Sequence, residues 1–275
     1  MNNILIIAAK EIREGMRNRW VLATTMLLAT LALTLTLLGS APTGNVGASR
    51  MDVVIVSLSS LTIFLVPLIA LIISHDAIVG EVERGTMLLL LAYPVGRSQI
   101  VFGKFLGHIA ILSFATTCGY GTAAVVLTLV GGGAGFEVWL SFFFMTTSSI
   151  LLGAIFVAIG YLVSVLSAER STAGGIAIGI WLFFVLIYDM ALLGGLVAAQ
   201  GRALPAGLLD VLLLANPTDA YRLLNLGSGG AAALSGMGGL AKTSILNNEI
   251  LLAALCAWTV MPLALASLYF SRRDI

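Results

Sequence analysis

Charge is what this sequence has least of. Its 14 Lys and Arg and 13 Asp and Glu make up 10% of 275 residues, where a soluble domain carries roughly 25%. That scarcity excludes a water-soluble globule and also a disordered chain, which is rich in charge and poor in apolar residues. A net charge of +1, with the basic residues scattered between apolar segments, excludes a nucleic-acid binder, which needs a basic face. Cysteine is nearly absent: Cys118 and Cys256 both fall inside apolar runs without CxxC spacing, so neither a disulfide framework nor a zinc site is expected. Histidine is equally scarce. His75 adjoins Asp76, but neighbouring helical residues point about 100° apart, and His108 reads as a polar contact between helices; the nine Met residues are scattered. No metal site is expected from these. A phosphate loop is missing too. Before Gly103-Lys104 the position that needs Gly holds Ser98, and Phe105 stands where Ser or Thr must hold magnesium. Leu234-Ser235-Gly236 has no phosphate loop to complete it. The chain is therefore read as no enzyme, with no cofactor bound directly.

What is present is apolar residue: 59% of the chain, with a mean hydropathy of +1.07. Charge-free runs predict six transmembrane helices over about 20–39, 53–74, 105–130, 138–167, 172–197 and 250–270, each able to cross a hydrocarbon core of ~30 Å at about 1.5 Å per residue. Backbone groups in lipid must pair internally, and the alternating pattern of a barrel strand is missing, so the fold class is all-α. The first run is not read as a cleaved signal, because it is 20 residues long and 19 residues carrying both acids and bases precede it.

Lys and Arg in alternate connections set the orientation. Lys10, Arg13, Arg17, Arg19, Arg84, Arg97, Lys104, Arg170, Arg272 and Arg273 fall on one side; Arg50, Arg202, Arg222 and Lys242 fall on the other. The positive-inside rule then places both termini in the cytoplasm. Within 1–19, Ile4, Ala8, Ile12 and Met16 recur every four residues, with Arg13, Glu14 and Arg17 on the other flank, the pattern of an interfacial elbow helix.

Two connections are unusual. Residues 75–104 concentrate charge (Asp76, Glu81, Glu83, Arg84, Arg97 and Lys104) around an apolar stretch, 87–93, that is too short to span and is expected to lie on the membrane face or to dock into another protein. The exterior connection 198–249 contains Asn216-Pro217-Thr218-Asp219, where Thr218 or Asp219 is expected to cap a short helix through Tyr221 and Arg222, and a glycine-rich stretch, 227–239, read as a flexible linker. Asp189 interrupts the fifth span. An acid at membrane depth costs roughly 2.5–3.5 kcal/mol, so it must face protein or water, as a gating residue or as a carboxylate bonded to a neighbouring helix near the exterior interface. Small residues four apart (Gly103 and Gly107, Ser149 and Gly153, Gly175 and Gly179) allow close helix approach and fit a homodimer.

Six spans with both ends inside, a basic amphipathic N-terminus and the segment Asp76, Glu81, Glu83, Arg84, Gly85, Thr86, followed by Leu88–Leu91, Pro94, Arg97, Gly103 and Lys104, resemble the ABC-2 type permeases. The resemblance implies that Asp76, Glu81, Glu83, Arg84, Gly85 and Thr86 belong to the region that couples to a separate cytoplasmic ABC ATPase subunit, which holds ATP and magnesium, and that Glu169 and Arg170 form a second cytoplasmic contact. Lys10-Glu11, Arg17-Asn18-Arg19-Trp20, Pro67-Leu68-Ile69-Ala70-Leu71 and the stretch from Asn216 to Leu226 narrow it to the branch serving nitrous oxide reductase maturation. That implies a bacterial inner-membrane homodimer, two ATPase subunits, a periplasmic β-helical partner met by the exterior connection (Asn216, Pro217, Asp219 and Arg222 within it), a link through the complex to a copper chaperone, and a role in assembling a copper-sulfide centre. The residues alone leave open an ABC-2 exporter of a lipophilic compound, or a stand-alone channel or scaffold.

Overall fold

The computed structural model describes residues 3–17, 19–38, 50–130, 135–198, 206–226 and 246–273. Among them there is no strand, and six helices are long and apolar enough to cross a membrane. In chain order the helices are α1 (Asn3–Met16), α2 (Arg19–Leu38), α3 (Arg50–Ser74), α4 (Val79–Glu83), α5 (Thr86–Leu91), α6 (Arg97–Val130), α7 (Phe136–Leu166), α8 (Arg170–Leu182), α9 (Tyr188–Ala198), α10 (Ala206–Ala215), α11 (Pro217–Leu226) and α12 (Asn248–Arg272). The glycine-rich stretch 227–239, Arg202 and Lys242 lie outside the described residues.

The spans are α2, α3, α6, α7, the run α8–α9, and α12. Helix α7, 31 residues long and hence ~46 Å, is the axis, and α3, α6 and α12 pack around it. Gly153 permits close approach on two sides, because a Cβ there would run into Leu112 of α6 and stand 3.0 Å from Val66 of α3. Helix α6 begins at Arg97, two turns before the 105 expected from the charge-free run. Its start is set by the Pro94–Gly96 turn, where Gln99 Oε1 accepts from Gly96 N (3.2 Å) and Asn3 Nδ2 (3.2 Å). The charges of Arg97 and Lys104 end the apolar run but not the helix.

Helix α1 turns Ile7, Ala8 and Glu11 inward against α6. Gly103 and Gly107 make this possible: a Cβ on either would meet Ile7 or Glu11 at 2.5–2.7 Å. This small-residue pair thus serves contact within the chain, while Gly175 and Gly179 of α8 face nothing within 4 Å. The fifth span is the least enclosed, and within it Phe183–Ile187 forms a π-helical turn between α8 and α9.

Arg97 donates to the carbonyls of Phe270 (3.2 Å) and Arg273, and Arg273 donates to those of Val165 (2.6 Å) and Ser167 (3.1 Å). These bonds gather the start of α6, the end of α7 and the end of α12 at one end of the bundle, where α1, α4 and α5 also lie, and which we call the basic end.

Candidate functional site

The connection between α3 and α6 is built on the basic end. Ser164 Oγ of α7 accepts the amides of Ile78 and Val79, both at 3.0 Å, and so seats the start of α4. Gly85 separates α4 from α5 with φ of +71°, a left-handed conformation that costs any other L-residue. Thr86 Oγ1 closes the turn on Glu81 O at 3.2 Å. Helix α5 buries Met87 but leaves Leu88 57% and Leu89 69% exposed, and Tyr93 stands out beyond it. Beside α5 an apolar groove of about 370 Å³ runs between α1 and the turn into α6, lined by Ile6, Ile7, Leu90, Tyr93, Pro94 and Val95.

The charged residues divide into two sets. Glu83, Arg84, Gly85 and Thr86 lie at the surface beside Leu88 and Leu89. Glu81 turns inward to Lys104 Nζ (2.8 Å), which also holds Glu11 of α1 at 2.7 Å. Lys104 is only 3% exposed, so this three-centre ion pair ties α1, α4 and α6 together away from water. Burial alone would raise the Glu11 carboxyl; the Lys104 ammonium more than offsets that and holds it below the usual carboxylate range. Asp76 pairs with Arg170 at 2.9 Å, and Glu83 accepts the Arg170 amide at 2.6 Å, a carboxylate at the start of α8 where the helix dipole favours it. The Glu169 side chain makes no cap bond to α8 and accepts the Ser171 hydroxyl at 3.4 Å. In the elbow helix, Arg13, Glu14 and Arg17 are exposed, with Glu14 bonded to Lys10 at 3.5 Å. A cavity of about 590 Å³ opens between the elbow and α4, lined by Glu11, Glu14, His75, Asp76, Arg84 and Arg170 among others.

The sequence pattern does not single out Glu11 and Lys104 as a pair, although a signal is there. Glu11 lies on the stripe of Ile4, Ile7 and Ala8, and an acid on the apolar face of an amphipathic helix calls for a buried cation.

At the opposite end, α11 is capped by Asn216, two residues before the first of the pair expected: Asn216 Oδ1 accepts the Thr218 amide at 3.1 Å, and Pro217 takes the first helical position. Asn216, Pro217 and Asp219 are buried, and Arg222 is 21% exposed. Their side chains are engaged inside the chain. Arg222 holds Asp219 (2.7 Å) and Asp189 (2.5 Å), which makes Asp189 a carboxylate bonded to a neighbouring helix. Burial pushes the Asp219 carboxyl up to about 7, against the pull of Arg222 and with the charge of Asp189 adding to the rise. Tyr221 OH meets Ser149 Oγ at 2.9 Å, and Ser148 Oγ donates to Asn225 Oδ1 at 3.0 Å, fastening α11 to α7.

A bundle of this kind, with an apolar helix presented on a charged basic end and no nucleotide motif of its own, matches a known family. The family model described as ABC-2 family transporter protein matches residues 5–275. The chain is 47% identical over 270 residues, 98% of each chain, to the probable ABC transporter permease protein NosY of Pseudomonas aeruginosa. It is 45% identical over 276 residues, 99% of each chain, to the probable ABC transporter permease protein NosY of Stutzerimonas stutzeri. The chain therefore belongs to the ABC-2 family of transporter proteins, as a permease similar to NosY.

Proposed function

We propose that this chain is the inner-membrane permease of an ABC transporter that couples ATP hydrolysis by a separate, NosF-like cytoplasmic ATPase to a NosD-like periplasmic β-helical protein, in assembly of the copper-sulfide centre of nitrous oxide reductase. The observation that carries the coupling is α5: Leu88 and Leu89 stand out of the basic end beside Glu83, Arg84 and Thr86. An apolar helix rimmed by charge outside the spans suits a groove on another protein. Glu81, Asp76 and Arg170 then act behind the surface, fixing α4 to α1, α6 and α8 so that a push on α5 reaches the elbow helix and two spans. The basic end is cytoplasmic on this reading, as the Lys and Arg count requires. The similarity to the NosY permeases over nearly the whole chain supports the maturation role.

The chain works as a homodimer. In support, only 11% of the fifth span's most apolar window is buried within one copy, against 78% for the fourth, and Gly175 and Gly179 leave α8 open to close approach. The exterior connection 198–249 meets the periplasmic protein, with Asn216, Pro217, Asp219 and Arg222 setting the position of α11 behind that contact. A copper chaperone is reached through the complex.

Deleting the gene in its host under nitrous-oxide-respiring conditions tests the role. A reductase that lacks the copper spectrum of its copper-sulfide centre is the expected result. A fully loaded, active reductase overturns the maturation role and favours an exporter of lipophilic compounds.

A further inference from the structure

Among the described residues the π-helical turn Phe183–Ile187 is where a span slips register. A π turn widens the helix and turns carbonyl groups away from their usual partners, and it persists only where something else takes them up. Here the Phe184 carbonyl receives two donors from the start of α11, Asn216 Nδ2 at 3.0 Å and Thr218 Oγ1 at 3.2 Å. One residue beyond the turn, the Tyr188 hydroxyl donates to Leu212 O of α10 at 2.8 Å. One residue further, Asp189 meets Arg222. All four links join the π turn or its exit to the α10–α11 hairpin.

The hairpin is held just as firmly on its other side. Tyr221 and Asn225 bond to α7, and Trp258 Nε1 of α12 donates to Leu214 O at 3.0 Å. The hairpin therefore bridges a loosely enclosed fifth span and the fixed fourth and sixth. The bridge is unbalanced in one respect: two carboxylates share a single guanidinium and crowd each other across the seam. Asp219 is secured twice over, by Arg222 and by Asn216 Nδ2 at 3.0 Å, and both of those partners belong to its own hairpin. Separation along the Asp189–Arg222 contact thus leaves Arg222 still paired, with Asp219, and frees Asp189 to find water. Such a break strands no cation, and its cost is the rehydration of one carboxylate.

We propose that the Asp189–Arg222 pair is a latch that fastens the exterior hairpin to the π turn, and that its opening lets the fifth span move relative to α11 while α11 stays on α7. The latch gives the fifth span two positions against the exterior hairpin, closed on Arg222 and released from it.

Hydrogen exchange of the full chain in lipid nanodiscs, without any ATPase, reads the latch directly and does not depend on the coupling proposed above. Asp189→Asn and Arg222→Gln are expected to speed amide exchange in 183–198 at least about tenfold while 217–226 and 136–166 stay at wild-type protection. The swap of Asp189→Arg with Arg222→Asp, which restores the pair with reversed sign, is expected to recover protection to within about threefold. Thr218→Val, which removes one donor to Phe184 O and leaves the charges alone, is expected to loosen 183–198 by less than either charge variant. Unchanged exchange in the single variants overturns the proposal. Loosening that spreads equally into 136–166 also overturns it, since the pair would then support the whole bundle. Should the single variants fail to fold, a folded swap with wild-type protection supports the latch, and a swap that is as loose as the singles, or does not fold, overturns it.

Discussion

Lys104 illustrates how one buried cation can organise the basic end. With Glu11 at 2.7 Å and Glu81 at 2.8 Å, its attraction to each carboxylate acts at a distance where little water screens it. Lys104→Met leaves two acids facing each other without a cation, and removal of one partner from a buried ion pair costs about 3–5 kcal/mol. A detergent unfolding titration should show that loss, and the triple variant with Glu11→Gln and Glu81→Gln should regain most of it. Asp219 gives the other residue-level expectation. Burial raises its carboxyl to about 7, so the folded chain holds this proton more tightly than the unfolded one. The stability it contributes is fully present below the ordinary carboxylate value of about 4 and is lost as pH rises through about 7. The thermal midpoint should fall between about pH 4 and pH 7, and Asp219→Asn should flatten that part of the profile. Legibility is uneven among such residues. Asp189 is readable as an acid needing a partner, because a lone charge in a 26-residue apolar run has few alternatives. Arg222 is not readable as that partner: it lies 33 positions away, and a charged residue in a connection reads as solvated until the fold sets α11 against the exit of the π turn.

Among the elements, the spans are the legible part because hydropathy over about 20 residues is a strong signal. The start of α6 is not, since a sequence pattern treats Arg97 and Lys104 as the edge of the membrane while the helix needs only bonded backbone and a partner for each charge. The α4–α5 connection is legible as a docking element by its composition, but not in which side chains face out. Periodicity says little over elements of five and six residues, and the inward turn of Glu81 follows from Lys104, a residue of another helix. The joint between these elements rests on Gly85. With φ of +71° and nothing within 4 Å of where a Cβ would stand, Gly85→Ala suffers backbone strain without a clash, about 1–2 kcal/mol. The predicted outcome is a folded, membrane-inserted chain with a lowered thermal midpoint and weakened ATPase coupling, since the strain falls on the turn that aims α5.

For the molecule as a whole, the arrangement divides labour between its ends. The basic end presents α5 and anchors it through ion pairs to α1, α6 and α8. Helix α7 runs between the two ends, receiving Ile78 and Val79 on Ser164 near one and Tyr221 on Ser149 toward the other. An enclosed helix bonded near both ends to short elements is a physical route for transmitting work. The membership in a permease family follows from the chain as a whole, whereas the coupling surface comes down to two exposed leucines. The most direct measurement is therefore ATPase capture by the full chain carrying Leu88→Asp and Leu89→Asp. Both positions are exposed, so stability should change by no more than about 0.5 kcal/mol. The account predicts a normally inserted permease that no longer co-purifies with its ATPase subunit or alters its hydrolysis rate; full capture and normal hydrolysis by that variant would contradict it.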